Sequence, residues 1–289
     1  MLYVVATPIG NLGDMSPRAV EVLKSVDLIA AEDTRMTMKL TQHFGIETPL
    51  TSCHRHNEQE KAESIVRRML EEGINAAVVT DAGTPAISDP GTILVRKAAE
   101  AGIEVVAVPG PSAMAAAMSV SGIDVTEFTF LGFLPREKKD LQTALRSASQ
   151  RTQAGIVHES PYRVLDFMRV LNETLPQAYV SVSCDISKLH ELTLRGMVGD
   201  VLTRMEANEK AEKGEYCIVI DFRAVPREEP KATATLCVEA RLLDLVLQGI
   251  ELREAGRRLV QEGEKKNAVY AASLRLKGML REDETEEWN

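Results

Sequence analysis

The sequence predicts an α/β protein: a parallel-sheet domain, a smaller mixed α/β unit, and a short all-helical end. Three observations carry this. Short apolar runs alternate with amphipathic helical stretches through the first 130 residues, which implies a parallel sheet covered on both faces. Loops rich in glycine and proline follow several of those runs. Beyond about residue 236 the apolar residues recur with helical spacing only. A chain of 289 residues has room for about two domains. Its 44% hydrophobic and 27% charged content suits a soluble globular protein.

An apolar strand over 2–7 opens the chain. A helix follows with Ser16 as N-cap, Pro17 at its first position, and an apolar face of Ala19, Val20, Leu23 and Val26. "LIAAED" (28–33) is the next strand. Asn57 and Glu60 read as a capping box for a helix over 57–72, striped by Ala62, Ile65, Val66 and Met69 and ended by Gly73. "NAAVVT" (75–80) is a buried strand and "DAGTPAISDPG" a long loop. A helix then runs from Asp89-Pro90 to near Gly102. The strand "EVVAV" (104–108), the turn "PGPS" and a small-residue helix through Met118 complete this part.

A boundary falls near "GFLPREKKD" (132–140). The second unit is read as helix 137–149, strand 154–158, a helix capped by Ser160-Pro161, strands 178–184 and about 190–196, helix 197–206 and strand 215–222, with at least one hairpin. Residues 223–235 are polar and proline-containing, as in a linker. Helices over about 236–248, 251–261 and 266–280 follow. The expected domains are thus 1–132, 133–223 and 236–281, with an acidic tail at 282–289.

A net charge of −9 speaks against a nucleic-acid partner, because phosphate binding needs a basic footprint. The charge is uneven, however. Glu251–Arg281 carries a net of +4 and Arg136–Arg151 a net of +3, either solvated helix faces or phosphate contacts. The scattered cysteines, Cys53, Cys184, Cys217 and Cys237, form no C-x-x-C pair and favour free thiols in a reducing compartment. No run approaches the roughly 18 apolar residues of a membrane span. These features lead us to expect a cytoplasmic protein.

Ligands of parallel sheets bind beyond the carboxyl ends of the strands. Loops 8–13, 81–89 and 109–112 occupy that edge. The opening loop, Pro8-Ile9-Gly10-Asn11-Leu12-Gly13, is not G-x-G-x-x-G, and proline removes an N–H that a pyrophosphate would use. Loops containing Pro8, Pro85, Pro109 and Pro111 are poor phosphate cradles. They are better as stiff walls for an uncharged or zwitterionic ligand, such as adenosine joined to an amino acid. The alternative is that they are ordinary strand-to-helix turns.

"VATPIGNLGD", "AAEDTR", "HRHNE", "TDAGTPAISDPG", "VPGPSA", "GFLPR", "ESPYR" and "KLHE" occur in that order. Together they resemble the tetrapyrrole-methylase-type (class III) S-adenosylmethionine methyltransferases, and within them the enzymes that methylate a cytidine ribose 2′-oxygen in the decoding region of 16S ribosomal RNA. The resemblance spans about residues 2–222, and "REAGRRLVQEGEKKNAVYAASL" resembles the family's small helical end. It implies two α/β domains of the tetrapyrrole methylase type with S-adenosylmethionine in the cleft between them, and a homodimer. Carried over by residue, the cofactor loops would be Pro8, Ile9, Gly10, Asn11 and Leu12; Asp81, Ala82, Gly83, Thr84 and Pro85 with Ile87; and Pro109, Gly110, Pro111, Ser112 and Ala113. Glu159 and Ser160 would close the pocket.

The chemistry needs no metal: an in-line displacement chiefly requires alignment, plus a base or charge for the developing alkoxide. Glu159 and Lys188 are the candidate catalytic residues. Glu159 is otherwise a carboxylate before a helix start, and Lys188, with His190, otherwise part of a surface strand. Asp81 is a ligand contact or a turn residue. On the RNA side we place Arg35, His54, His56, Arg136, Lys188, Lys265 and Lys266, with Arg275 and Lys277 as further phosphate contacts and 16S rRNA or the small subunit as partner. Cys53, His54 and His56 cluster but lack a second ligand pair for zinc.

The family usually has tyrosine and histidine where His158 and Tyr162 stand. It has Arg-Glu where Cys184-Asp185-Ile186-Ser187 stands. Two rival functions remain: methylation of a small molecule such as a tetrapyrrole, which has no use for a basic helical end, and a non-catalytic S-adenosylmethionine- or RNA-binding regulator.

Overall fold

The computed structural model describes residues 1–227 and 237–282. One compact unit covers Met1–Pro226 and a second begins at Arg227. The first unit holds two five-stranded sheets.

Strands β1 (Leu2–Val5), β2 (Leu28–Ala31), β3 (Leu50–Ser52), β4 (Ala76–Val79) and β5 (Val105–Val108) form the first sheet, all parallel, in the order β3-β2-β4-β1-β5. Helices α1 (Pro17–Ser25), α2 (Thr34–Phe44), α3 (Glu58–Glu71) and α4 (Thr92–Glu100) connect its strands. One sheet face packs Leu2, Ala30 and Val78 under Ile65, Met69 and Leu94; the other packs Val5, Ile29 and Val79 under Ala19 and Leu23. A doubly covered parallel sheet is what the continuous apolar runs require.

α5 (Ala113–Val120) leads to the second sheet: β6 (Phe128–Gly132), β7 (Ala154–Glu159), β8 (Tyr179–Cys184), β9 (Leu192–Met197) and β10 (Tyr216–Asp221), in the order β6-β7-β10-β8-β9. Only β6 and β7 pair in parallel; the other neighbours are antiparallel, and β8–β9 is a hairpin. Helices α6 (Lys138–Arg151), α7 (Val164–Thr174) and α8 (Val198–Glu206) cover one face around Phe167, Met168 and Leu171, and α5 packs on the other.

The second unit has helices α9 (Val238–Leu247), α10 (Leu252–Gln261) and α11 (Lys266–Glu282), closed around Leu242, Leu259, Val269 and Leu276. Residues 228–235 of the expected linker, residue 236 and the acidic tail after 282 lie outside the described residues.

Several expectations are corrected. α2, β3 and β6 were not anticipated, and β2 stops at Ala31, where Glu32 and Asp33 leave the sheet. α2 buries Thr37 and Thr41 most deeply, with Leu40 and Phe44 packed on the core beside them, and leaves Met36 and Met38 exposed. The capping box at Asn57 does not form: Asn57 Oδ1 accepts from the His54 N–H at 2.8 Å, turned back from its helix. α4 begins at Thr92 rather than Asp89-Pro90, and its cap comes from another helix. The buried Glu58 carboxylate accepts from the Gly91 N–H at 2.9 Å and the Ile93 N–H at 2.7 Å, complementing a helix N-terminus that has no side-chain cap of its own. Ser160-Pro161 does not cap α7; the Ser160 carbonyl accepts from Arg163 and Val164 in a turn ahead of the helix.

Candidate functional site in the cleft between the two sheets

Because β4, β1 and β5 are neighbours, the loops that follow them meet at one sheet edge. They are stitched together. Thr7 and Gly83 exchange backbone hydrogen bonds at 2.9 and 3.0 Å. The buried Thr7 hydroxyl donates to the Thr80 carbonyl at 3.1 Å, and the Thr84 hydroxyl to the Pro111 carbonyl at 3.1 Å. Gly83 sits at φ 86°, and a Cβ on Gly110 would come within 3.0 Å of the Ala6 Cβ. Ser112 caps α5. The three loops therefore form one fixed wall.

The second sheet supplies the opposite wall. Antiparallel pairing of β7 with β10 sets His158 opposite Cys217 and Glu159 opposite Tyr216. A cavity of about 390 Å³ lies between the walls. Ile9, Ala82, Ser88, Asp89 and Ala113 line it from the first half, and Phe133, His158, Glu159, Ser160, Pro161, Ile186, Glu215, Tyr216 and Cys217 from the second. A side recess of about 50 Å³ adds Gly83, Thr84, Ile87 and Ser112.

Of the residues expected at the cofactor, Ile9, Ala82, Gly83, Thr84, Ile87, Ser112, Ala113, Glu159 and Ser160 line one or both spaces. Pro8, Gly10, Asn11, Leu12, Asp81, Pro85, Pro109, Gly110 and Pro111 frame the loops without lining them. Asn11 Oδ1 accepts from the Gly13 N–H at 2.9 Å. Asp81 Oδ1 accepts from the Asp33 N–H at 3.1 Å, tying its loop to the start of α2, and Glu32 accepts from the Thr80 hydroxyl.

The cavity is acidic. Asp89, Glu159 and Glu215 line it, and among the described residues no lysine or arginine does. Burial pushes the Asp89 and Glu159 carboxyls up from their ordinary values. Glu159 Oε1 accepts from the Ser160 N–H at 2.7 Å. Its Oε2 lies 3.3 Å from the Arg163 guanidinium without hydrogen-bond alignment, so it is a buried oxygen with no hydrogen-bond donor. Burial lowers the His158 imidazole, which stands edge-on to Phe130 at 5.1 Å and Phe133 at 5.9 Å.

Lys188 does not line the cavity. Its side chain lies over Gly10, where a Cβ would come within 2.4 Å of the lysine Cγ. Its ammonium reaches Asp185 at 2.8 Å and Glu215 at 3.0 Å. Partial burial works against its charge, but these hydrogen bonds outweigh it and raise the group. Lys188 is therefore a cation at the cleft's edge and no proton acceptor near neutrality. The Ser187 hydroxyl donates to Asp14 at 2.5 Å, so loop 185–191 of the second sheet clasps the opening loop of the first. Asp185 and Ser187 hold positive φ, 51° and 69°, to do so.

Arg35 is well exposed and paired with Asp33 at 2.6 Å. His54 and His56 stand 6.0 Å apart, and neither lines the cavity. Arg136 lies in the turn after β6, by Glu159's field. Lys265 and Lys266 begin the last helix of the second unit. Sequence reasoning missed Ser88, Asp89, Phe133, His158, Ile186, Glu215, Tyr216 and Cys217. The last two are set by strand register alone, which no local pattern encodes.

Residues 1–202 match the family described as Tetrapyrrole (Corrin/Porphyrin) Methylases, which fixes the class of protein this cleft belongs to. Solved structures share the fold: the methyltransferase CobJ (17% identity, TM-score 0.57, 79% of this chain and 97% of that one) and diphthine synthase (11%, TM-score 0.59, 78% and 92%). Proteins named ribosomal RNA small subunit methyltransferase I are similar over nearly the whole chain. Those of Escherichia coli O157:H7 and Synechocystis are each 41% identical, covering 96% of this chain and 96% and 98% of theirs; that of Bacillus subtilis is 38% identical, covering 94% and 93%. The chain belongs to the ribosomal RNA small subunit methyltransferase I family.

Proposed function

We propose that this protein transfers the methyl group of S-adenosylmethionine to 16S ribosomal RNA of the small subunit, at the ribose 2′-oxygen of a cytidine in the decoding region. The observation that carries the cofactor is the charge of the cavity: three carboxyl residues line it, Glu159 and Glu215 partly balanced by Arg163 and Lys188 at its edge, and no lysine or arginine stands among the described lining residues. S-adenosylmethionine is a net cation at neutral pH, whereas a dinucleotide or ATP brings phosphates into the same field. The volume of about 390 Å³ is within the usual range for small-ligand sites. The residues present therefore fit the group. Ile9, Ala82, Ile87 and Ala113 would hold its apolar parts, with Asp89 and Glu159 beside its positive charge. When bound, it supplies a methyl group already activated by the sulfonium.

The chain's own part is alignment and charge. The stitched loops keep the first wall fixed, Glu159 holds negative charge at the second, and the Lys188 ammonium at the edge stabilises the developing alkoxide. RNA as substrate is supported by the names of the relatives and by the basic segment Glu251–Arg281. In this reading residues 1–132 carry the cofactor loops, 133–223 close the cleft and 236–281 grip RNA. The protein works as a homodimer in the cytoplasm, and light scattering returning twice the chain mass checks the dimer.

The deciding experiment incubates the protein with methyl-labelled cofactor and 30S subunits that lack the modification, then maps the label. Expected is one cytidine in 16S rRNA whose 3′ linkage resists alkali, as a 2′-O-methyl group requires. Absence of label, or label on a base, overturns the reading.

A further inference from the structure

The turns that follow β6 and β7 are tied together. Arg163 donates from Nη2 to the Pro135 carbonyl at 3.3 Å, and the Phe133 ring meets His158 edge to face. This holds together the two turns that carry Phe133 and Tyr162 at the cavity: Phe133 lines it, and Tyr162 directly follows Ser160 and Pro161, which line it too. Both rings face solvent, Tyr162 with 84% and Phe133 with 64% of its surface exposed. Aromatic residues make up only 4% of the chain, and rings of this size ordinarily go to the core. Arg136 and Arg163 stand on the same two turns. Exposed rings among guanidinium groups are how proteins hold unpaired nucleotides. The ring faces stack on bases of any identity, and the cations take phosphates. A double helix presents no free base face.

We propose that Phe133 and Tyr162 form a stacking platform for unpaired bases next to the nucleotide being methylated, with Arg136 on the neighbouring phosphate. This rests on the RNA-methylating reading above. The platform makes the cleft selective for an unpaired stretch of RNA, and it does so through the turns after β6 and β7.

The test measures retention of unmodified 30S subunits on filters at several salt concentrations, and the fluorescence of a single-stranded oligoribonucleotide carrying 2-aminopurine. Tyr162→Ala and Phe133→Ala should each weaken 30S binding about 5- to 100-fold, the usual range for losing one stacked base. The salt dependence should not change, and the quenching of 2-aminopurine should be lost. Tyr162→Phe should behave as wild type. Arg136→Ala should instead flatten the slope of log K against log salt by about one. Tyr162 does not line the cavity, so calorimetry on Tyr162→Ala should return an unchanged S-adenosylmethionine affinity and confirm a folded protein. Wild-type binding by both alanine variants, or equal weakness of Tyr162→Phe and Tyr162→Ala, overturns the platform. Wild-type transfer to 30S subunits is run in parallel: no label there defeats the methylation reading, whereas normal label with undiminished binding in the alanine variants defeats the platform alone.

Discussion

On the first-sheet side of the cleft, Glu32, Asp33, Asp81 and Asp89 gather around the loops after β2 and β4, close enough that Asp81 and Asp89 each feel Glu32. On the second-sheet side, Phe133, Arg136, Tyr162, Arg163 and Lys188 occupy turns and a clasp loop. The two sides also differ in build. The first is a parallel sheet whose loops are locked to each other by backbone bonds; the second is mostly antiparallel and reaches across through a seven-residue hairpin loop with strained backbone. In the proposed reading the difference lets an acidic chain handle a polyanion: carboxyls line the cavity, Asp89 from the first side and Glu159 and Glu215 from the second, while the exposed rings and Arg136 stand on the outer turns of the second sheet.

The largest expected effect comes from reversing charge on the acidic side. Asp89→Lys places a cation against a cationic cofactor in a partly dry space. At an effective dielectric near 20, one pair of unit charges a few ångströms apart is worth about 3–4 kcal/mol. S-adenosylmethionine affinity measured by calorimetry should fall at least about 100-fold, and 30S binding should stay near wild type. A cofactor affinity that survives the change breaks the division of labour between the two sides.

Glu159 sharpens the comparison through stability. Burial raises its folded-state pKa above the unfolded value, so the folded protein binds that proton more tightly and ionisation costs stability. The cost is absent below the unfolded value of about 4.3 and is complete once pH has risen past the folded value. Glu159→Gln keeps an acceptor for the Ser160 N–H and removes the charge. Thermal unfolding should therefore show a stability gain at pH 8 that vanishes near pH 4. Methyl transfer should slow about tenfold, which is a 1.4 kcal/mol effect. A variant equally stable at both pH values removes the buried charge from the account.

Lys188 comes next. Its ion pairs with Asp185 and Glu215 are partly exposed and worth about 1 kcal/mol or less, so Lys188→Ala should fold. Single-turnover transfer should fall about tenfold, as loss of one charge beside the alkoxide predicts, while cofactor affinity should move less. A normal rate takes Lys188 out of the reaction.

Much of this molecule was legible in the sequence, for reasons that differ by residue. The strands of the first sheet, buried on both faces, read as continuous apolar runs such as Ala76–Val79. The Gly83 and Gly110 loops were marked by composition, and the structure gives the cause: a required positive φ at one and a close approach to Ala6 at the other. What could not be read was whatever depends on distant partners. Glu58 caps α4 from another helix. Lys188 lies over Gly10 across 178 positions of chain. Tyr216 and Cys217 join the site through strand register. α2 was missed because its two most buried positions are threonines and two of its methionines face solvent.

The smallest effects are expected in the second unit. There Arg241 pairs with Glu262 and Glu264, and Arg275 with Glu239, so these arginines bind the three helices to each other. Lys265 and Lys266 stand elsewhere, at the N-terminal end of α11, the end where a helix dipole disfavours cations by about 0.3–1 kcal/mol. Replacing each by glutamine should raise the unit's thermal stability slightly, weaken 30S binding a few-fold, and reduce the salt slope by about one per lysine. The cofactor affinity should not change. If stability rises while RNA affinity and salt slope both stay put, the two lysines are surface charge only, and the proposed RNA grip of this end loses their support.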